Sequence, residues 1–177
     1  MKFFAGCTEV VVFVLTLGPG VDDTVAARSA QDELLDVDRY FERYPGVAKY
    51  METTRQAARE RGFVETVFGR RLHLPDIASR NRQLQQYAER SAINAPMQGT
   101  AADIIKRAMI AVHDWLGRDA LRARLVMQVH DELVLEVRET DLAAVREGVV
   151  ARMAGAAELR VPLKVDTGVG SNWDEAH

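Results

Sequence analysis

Two apolar segments that flank an acidic turn constrain the fold of this chain more than any other feature. Residues 125–129 and 133–137 are rich in Val and Leu, and His130-Asp131-Glu132 separates them. Short apolar runs joined by a brief polar turn are typical of a β-hairpin. Hairpin turns usually contain Gly, Asn or Asp because their backbone takes positive φ. The sequence therefore predicts an antiparallel strand pair with an imidazole and two carboxylates at its tip.

A proline and two glycines delimit the next predictable elements. Pro45 suits the first turn of a helix, and Gly62 suits its C-terminal cap. Beyond this helix, residues 63–74 are expected to form two short strands around a turn at Phe68 and Gly69. The sequence therefore predicts a helix followed directly by a small hairpin.

A second proline interrupts a long helical pattern. Residues 79–95 predict a strongly polar helix, and the apolar residues of 97–116 recur at the spacing of an amphipathic helix that ends at Gly117. Because proline lacks the amide proton that a helix interior requires, Pro96 should break or re-cap the chain between them. Two separate helices are therefore expected.

The C-terminal part predicts one more helix and one more strand. Thr140 is expected to cap the helix. Its buried stripe is expected to consist of Leu142, Val145, Val149 and Met153. Residues 161–169 predict a strand, and Pro162 near its start favours a position at or near a sheet edge. Together the elements predict an α+β fold in which helices cover one side of an antiparallel sheet.

The first 38 residues differ from the rest of the chain. Residues 10–17 form an almost unbroken apolar run that ends at a Gly-Pro-Gly turn. A secretion signal is disfavoured because Glu9 interrupts the apolar region and the turn is a poor cleavage site, so a buried strand is the preferred interpretation. Asp22 and Asp23 follow this strand, either as metal ligands or, as we favour, in a solvated turn.

Composition excludes several classes of protein. The 177 residues are 47% hydrophobic and carry a net charge of −3, which is typical of a folded domain rather than a disordered chain. The single cysteine, Cys7, excludes a disulfide scaffold and fits a reducing compartment. No stretch reaches the roughly 18 apolar residues of a membrane-spanning helix, so no membrane partner is expected.

Charge is unevenly distributed along the chain. Residues 55–90 contain eight arginines against four acidic residues, whereas residues 1–54 and 91–177 are each net negative. A basic segment between acidic flanks is typical of a surface that contacts phosphates. A solvated helix face gives the same pattern and remains the alternative.

The acidic turn has the composition of a magnesium site. Mg²⁺ is usually held by one or two carboxylates together with substrate phosphates. Successive residues of a strand point to opposite faces, which favours Asp131 over Glu132 as the ligand. Two ions that clamp the oxygens of phosphoryl transfer need more than this one carboxylate. The alternative is a solvated acidic turn that binds no metal.

Arg90, Asn94 and Gln98 are spaced four residues apart. In a helix that stays regular through Pro96, they share one face and present guanidinium and amide donors together. Such donors suit phosphates, sugars and the acceptors of the minor groove. The alternative is a hydrogen-bonded helix cap around Asn94.

Several sequence motifs occur in the order found in one known family. They are RYFERYPGV at residues 39–47, GRRLHLPDI at 69–77, the run over 88–109 that contains QGTAAD, QVHDELV at 128–134, and the terminal Asn-Trp-Asp. These motifs resemble the C-terminal region of the bacterial family A DNA polymerases. The QGTAAD run fits this family better than the single-subunit RNA polymerases, and the resemblance covers about four fifths of the chain.

The resemblance implies roles for the residues of the acidic turn. Asp131 would be one of two aspartates that ligate both catalytic Mg²⁺ ions, and Glu132 would be an adjacent acidic residue with a lesser catalytic role. His130 and Gln98 would lie near the primer end and its minor-groove face. The hairpin would belong to the palm of the polymerase.

The resemblance also implies the partners. These are primer–template DNA and, in the full-length family, deoxynucleoside triphosphates, in the bacterial cytoplasm at the nucleoid. Arg90 and Asn94 would contact template and primer. The basic segment over 55–90, with Arg70 and Arg71, would contact DNA on the return from the fingers to the palm.

Two functional features of the family have no counterpart in the sequence. The metal-bridging aspartate of the first polymerase motif, in a pattern like Asp-Tyr-Ser-Gln-Ile-Glu, is missing, so only half of the two-metal site is encoded. The residues that grip the incoming nucleotide, the thumb and the exonuclease domains are missing as well. We therefore expect residues 39–177 to form the family's palm and fingers region. Residues 1–38 do not match the family, as in a truncated or frameshifted gene.

The expected function follows from both the resemblance and the missing features. The chain is predicted to be a fragment of a DNA-directed DNA polymerase, a nucleotidyltransferase by ancestry, with little or no activity alone. One alternative is a non-catalytic DNA-binding or partner module derived from a polymerase. Another is a relic that folds poorly because its sheet lacks a strand and exposes an apolar edge.

Overall fold

The structure, a computed structural model, describes residues 9–17, 39–119 and 121–176. The predictions for Asp22, Asp23 and the Gly-Pro-Gly turn lie outside these residues. In chain order the strands and α-helices are β1 (Glu9–Leu17), α1 (Pro45–Arg61), β2 (Phe63–Glu65), β3 (Arg71–His73), α2 (Arg82–Arg118), β4 (Ala123–Val129), β5 (Glu132–Val137), α3 (Leu142–Ala154), β6 (Leu163–Gly170) and α4 (Trp173–Ala176). Short 3₁₀ turns occur at Pro75–Ala78 and Glu139–Asp141.

The chain divides into two compact units, and the boundary lies within α2, after Thr100. The first unit contains an antiparallel sheet in the order β4-β5-β1-β6, together with α3, α4 and the second half of α2. The second unit contains α1, the β2–β3 hairpin and the first half of α2. The predicted α+β fold class, with an antiparallel sheet and packed helices, is confirmed.

Strand β1 occupies an internal position of the sheet, between β5 and β6. Val11 and Phe13 are fully buried on one face, and Val12 is buried on the other. Because successive strand residues alternate between faces, a strand that is covered on both faces requires an unbroken apolar sequence. The predicted strand over residues 10–17 is confirmed, and its burial is confirmed for Val11, Val12 and Phe13.

The main core lies on one face of the sheet. Its largest buried side chains come from β1, β5, α2 and α3, and include Phe13, Leu133, Leu135, Ile104 and Met153. Val145 and Val149 of the predicted α3 stripe are buried there, and Leu142 packs against them. The opposite face carries a smaller cluster of Val12, Val134 and Ala176, so the short helix α4 packs on the other side of the sheet from the helices of the main core, whereas helices were predicted on one side only.

Two glycines shape the second unit as predicted. Gly62 adopts a left-handed φ of 73° and caps α1 through a hydrogen bond from its amide to the carbonyl of Ala58. Gly69 has a φ of 81° in the turn between β2 and β3. A separate core that includes Val64, Leu74 and Ala92 joins the hairpin to the two helices.

Helix α2 runs without interruption through Pro96, so the predicted break there, and the predicted end at Gly117, are wrong. A proline in a helix interior costs about 3 kcal/mol. Burying one large apolar side chain contributes roughly 1.5–3 kcal/mol, and α2 buries Ile93 before the proline and Ile104 after it. Packing on both sides therefore outweighs the local penalty. Neither α2 nor any other described helix is long and apolar enough to cross a membrane.

Helix α3 begins after a 3₁₀ turn, so the prediction that Thr140 caps it is wrong. Thr140 lies within that turn, where its hydroxyl donates to the carboxylate of Asp141 at 3.2 Å. The other carboxylate oxygen of Asp141 accepts a hydrogen bond from the backbone amide of Arg122 at 2.9 Å, just before β4. The edge position predicted for the last strand is confirmed, since β6 lies at one end of the sheet.

Candidate metal ligand and nucleic-acid interface

The turn between β4 and β5 contains two residues, His130 and Asp131. His130 has a φ of 51°, a left-handed conformation that costs a residue with a Cβ about 1–2 kcal/mol. The amide side chain of Gln128 donates a hydrogen bond to the His130 carbonyl and helps to hold this geometry. A strained non-glycine residue in a tight turn is a reason to look for a function there.

The two carboxylates beside this turn have different surroundings. The Asp131 side chain is exposed and makes no hydrogen bond or ion pair with another described residue. Glu132 is the first residue of β5 rather than part of the turn, and it is buried, with 8% of its surface exposed. The two residues therefore differ in exposure, and the Asp131 carboxylate is the one open to solvent.

Strand β1 lies beside β5 but brings no carboxylate to the acidic turn. Val14 pairs with Glu132, whereas Glu9, the acidic residue of β1, pairs with Val137 at the far end of β5. On its other side, Val14 pairs with Asp166 of β6. Two strand spacings, roughly 9.5 Å, therefore separate the backbones of Asp166 and Glu132.

These residues fit one ligand of a Mg²⁺ ion but not a two-ion site. In residues 9–17, 39–119 and 121–176, no group of three His, Cys, Asp or Glu side chains is arranged to hold a metal. A hard, octahedral ion can be held by one or two carboxylates with substrate phosphates, and Asp131 supplies one of them. A pair of ions would need carboxylates that the described residues do not bring to the turn.

Arg90, Asn94 and Gln98 lie on one exposed face of α2. The three side chains line a concavity of about 330 Å³. None of them makes a hydrogen bond or ion pair with another described residue, so their donors are available to a ligand. The alternative of a helix cap at Asn94 is wrong, because Asn94 lies in the interior of α2.

Arg70 is tied to the backbone of α2. Its guanidinium donates to the carbonyl of Gly99 at 2.9 Å, and its backbone amide donates to the hydroxyl of Thr66. A Cβ at Gly99 would lie 2.7 Å from Cγ2 of Thr66 and 3.2 Å from Nη2 of Arg70. The missing side chain of Gly99 therefore allows the hairpin to approach the helix this closely.

Arg71 is engaged within the β2–β3 hairpin. Its Nε donates to Glu65 at 2.7 Å, and its guanidinium lies 4.5 Å from the ring centre of Phe63. Arg61 donates to the other oxygen of Glu65 at 2.8 Å and lies 4.4 Å from the same ring centre. The hydrogen bonds from Arg61 and then from Arg71 lower the pKa of the Glu65 carboxyl. Both guanidiniums therefore have structural partners, and their remaining donors face solvent.

Sequence reasoning missed the other residues of the α2 concavity. Tyr87 and Ser91 of α2 and Leu72 of β3 line it beside the predicted residues. Tyr87 and Ser91 precede Arg90 and Asn94 by three residues each, which is the spacing of neighbours on one helix face. A search for residues three positions before Arg90 and Asn94, as well as four positions after them, would have found both Tyr87 and Ser91.

In a comparison with known protein families, residues 25–175 match DNA polymerase family A. DNA polymerase I of Pseudomonas aeruginosa is 65% identical over 141 residues, which are 80% of this chain and 15% of the relative. DNA polymerase I of Bacillus caldotenax is 49% identical over 140 residues, which are 79% of this chain and 16% of that protein. The chain thus spans about 15% of the length of these curated relatives.

A solved structure has the same fold over most of the chain. It is the POL domain of Pol1 from M. smegmatis in complex with DNA primer-template and dNTP. The TM-score is 0.81 and the sequence identity is 44%, over 84% of this chain and 26% of the solved chain. The likeness in fold therefore extends well beyond the short motifs.

Proposed function

The chain belongs to DNA polymerase family A, and we propose that its residues bind primer–template DNA and contribute one ligand, Asp131, to catalytic Mg²⁺. The membership predicted from the motifs is confirmed by the family match over residues 25–175. The observation that carries the proposal is the set of exposed donors of Arg90, Asn94 and Gln98, which line one concavity of α2. Such donors, free of internal partners, suit a nucleic-acid backbone and its minor groove.

Each candidate has a proposed role that its chemistry supports. The guanidinium of Arg90 contacts a phosphate, and the amides of Asn94 and Gln98 donate to minor-groove acceptors. His130 lies near the primer end, and Asp131 supplies one carboxylate oxygen to a Mg²⁺ ion, which when bound would neutralise phosphate charge. Glu132 supports the turn from its buried position in β5.

Arg70 and Arg71 are assigned a secondary role in DNA binding. Both side chains are partly committed to Gly99 and Glu65, and their exposed donors add positive charge to the hairpin. Their contribution is long-range attraction to phosphates rather than a fixed contact.

Nucleotidyl transfer is proposed for full-length members of the family rather than for this chain. Residues 39–177 correspond to the palm and fingers region, and β1 comes from the segment over 1–38 that does not carry the family's first motif. Since Val14 rather than a carboxylate pairs with Glu132, β1 does not supply a second metal-bridging group beside Glu132. The proposed location, the bacterial cytoplasm at the nucleoid, follows from DNA as the partner.

Primer extension tests the catalytic part of the proposal. The purified chain, incubated with primer–template DNA, deoxynucleoside triphosphates and Mg²⁺, is expected to give no extended product on a denaturing gel. Robust extension that disappears in Asp131→Asn would contradict the proposal, because it would require a complete metal site in this chain.

DNA binding tests the other part. Fluorescence anisotropy with a labelled primer–template should show binding that weakens as salt rises, because phosphate contacts release counterions. Arg90→Ala should weaken binding and reduce the slope of log K against log salt by about 1. Arg146→Ala, an equal charge change at an exposed position of α3, is the matched control and should leave binding unchanged. Equal losses in both variants would argue against a site on α2.

One observation favours the alternative of a non-catalytic DNA-binding module. The apolar strand β1 is paired on both sides, with β5 and with β6, so the sheet is built around a strand that brings no carboxylate near the turn. This alternative predicts that Asp131→Asn leaves DNA affinity unchanged both with and without Mg²⁺. If Mg²⁺ raises the DNA affinity of the original chain but not that of Asp131→Asn, the metal-binding proposal is favoured instead.

A further inference from the structure

Tyr87 is an exposed aromatic residue on the face of α2 that carries the DNA-contacting candidates. Of its surface, 66% is exposed, and it lines the concavity of about 330 Å³ together with Arg90 and Asn94. Leu72 of β3 lines the same concavity. The ring therefore borders a recess that combines an apolar wall with one cation and two side-chain amides.

The fold does not explain why a tyrosine occupies this position. Ala88 and Ala92, on the neighbouring face of the helix, pack into the core, whereas Tyr87 points away from it. Within the described residues, its hydroxyl has no hydrogen bond and its ring has no aromatic or cation–π partner. An exposed ring on a helix surface contributes little to stability, so its loss should not disturb the fold.

We propose that Tyr87 stacks on an unpaired nucleobase of the template strand while Arg90 holds a neighbouring phosphate. The inference rests on the proposed function, in which this face of α2 binds DNA. Bases inside a duplex are covered on both sides by their neighbours, so a flat ring can stack only on a base of a single-stranded segment or at a duplex end. Aromatic platforms beside basic groups bind such segments with little sequence preference.

The chemistry of the recess favours a nucleotide over an apolar protein segment. A protein ligand that buried the tyrosine ring would also cover Arg90, Asn94 and Gln98 and would have to satisfy their donors. A nucleotide supplies a flat aromatic face and a phosphate together, which matches a tyrosine and an arginine spaced three residues apart. The same recess therefore accommodates both parts of one ligand.

The test compares two labelled DNAs with the intact chain by fluorescence anisotropy. One is a primer–template with a single-stranded 5′ overhang. The other, called the blunt duplex, has the same paired length and has both ends closed by non-nucleotide linkers, so that it offers no base face for stacking. Tyr87→Ala should weaken binding of the overhang DNA about tenfold and leave the blunt duplex unchanged. Tyr87→Phe, which keeps the ring, should retain the affinity. Ile110→Ala, which removes an apolar side chain of 63% exposure elsewhere on α2, is the control and should have no effect.

A double-mutant cycle with the DNA sharpens the test. Abasic nucleotides in the overhang remove the stacking partner, so Tyr87→Ala should have no further effect on that DNA. The slope of log K against log salt should stay the same in Tyr87→Ala, because the ring contacts no phosphate, whereas Arg90→Ala lowers the slope.

The outcomes separate this inference from the proposed function. If the chain binds DNA and Arg90→Ala weakens binding, but Tyr87→Ala binds the overhang DNA as tightly as the original chain, the stacking role is wrong and the DNA-binding role stands. Equal weakening of overhang and blunt DNA by Tyr87→Ala would also overturn the stacking role. Absence of salt-sensitive DNA binding by the unaltered chain would overturn both proposals.

Discussion

Val14 of β1 lies directly opposite Glu132 of β5, one residue beyond the exposed Asp131. Directly opposed residues of an antiparallel pair have Cβ atoms about 4.5–5.5 Å apart and project to the same face of the sheet. Val14 packs against the small cluster of Val12, Val134 and Ala176. Val14, which lies beside the acidic turn, therefore stabilises the sheet and offers no ligand to a cation.

Placing a carboxylate at this position should make the turn respond to divalent ions. Val14→Asp would set a second carboxylate opposite Glu132, and we expect a loss of about 1–3 kcal/mol in unfolding free energy without divalent ions, from charge repulsion and burial. Millimolar Mg²⁺ should recover part of that loss, because an ion that binds only the folded state stabilises it. Thermal unfolding with and without MgCl₂ measures both effects.

The matched control for this variant is Val14→Asn, which has nearly the same shape without the charge. It should lose stability without regaining it in Mg²⁺. Adding Asp131→Asn to Val14→Asp should reduce the Mg²⁺ effect if the exposed carboxylate shares the ion. Equal Mg²⁺ responses in the Asp and Asn variants would show that the ion does not bind at this turn.

The left-handed backbone of His130 predicts a separation of stability from function. With a φ of 51°, His130 carries strain that glycine does not have. Glycine also loses more backbone entropy on folding, which offsets part of the gain from relieved strain. His130→Gly should therefore leave the unfolding free energy unchanged or raise it by up to about 1 kcal/mol. Its DNA affinity should fall, because the imidazole is lost.

His130→Ala is the control, since it removes the imidazole but keeps a Cβ in the strained conformation. It should be less stable than His130→Gly in urea titrations and equally weak in DNA binding. A His130→Gly variant that is clearly less stable than His130→Ala would mean that backbone strain does not dominate at this position.

Glu65 gives the hairpin a pH-dependent contribution to stability. Hydrogen bonds from Arg61 and Arg71 lower the pKa of its carboxyl from the ordinary value of 4.5. A carboxyl whose pKa is lower in the folded state stabilises the fold above its unfolded pKa, and the contribution is lost as pH falls through the folded pKa. The stability difference between the original chain and Glu65→Gln should therefore be constant near neutral pH and shrink below pH 4.5.

Urea unfolding at a series of pH values measures this difference. In an Arg61→Ala background the Glu65 carboxyl keeps only one of its two guanidinium partners. The stability difference caused by Glu65→Gln should therefore change less with pH. A difference between the original chain and Glu65→Gln that stays constant down to acidic pH would contradict the assigned cause.

Local chemistry explains which parts of the fold were predictable from the sequence. The positive φ of Gly62 and Gly69 depends on the residue itself, so the helix end and the hairpin turn could be predicted. The insertion of β1 between β5 and β6 depends on pairing between residues more than one hundred positions apart, as with Val14 and Glu132, and no local pattern contains that information. Strand alternation predicted that Asp131 and Glu132 differ in orientation, but the exposure of Asp131 comes from its place in the turn, just before β5, whose residues are buried on both faces.

The surroundings of the basic residues could not be predicted in the same way. Arg70 binds the carbonyl of Gly99 because the hairpin approaches α2 closely, a tertiary contact that its position in a basic segment does not encode. Arg71 and Glu65 are paired across the two strands of the hairpin, and that pairing requires the register of the turn. Residue type indicated positive charge, but only the structure identifies the partners.

The continuity of α2 through Pro96 involves a side chain from a different helix. Tyr50 of α1 donates its hydroxyl to the carbonyl of Ile93 at 2.9 Å. Proline has no amide proton to donate to the carbonyl of Ala92, and its ring pushes against the preceding turn, which weakens the neighbouring helical hydrogen bonds. Tyr50 thus satisfies a carbonyl beside the defect.

A double-mutant cycle tests whether Tyr50 compensates for Pro96. Tyr50→Phe should lower the unfolding free energy by about 0.5–1.5 kcal/mol, because it removes one hydrogen bond and leaves the packing intact. Pro96→Ala should raise it by up to about 3 kcal/mol, because it restores an amide donor in a helix interior. With the helical bonds restored, Tyr50→Phe should cost less in the Pro96→Ala background than in the original chain. Urea unfolding of the four proteins gives the coupling, and additivity within about 0.5 kcal/mol would show that the hydroxyl acts independently of the proline.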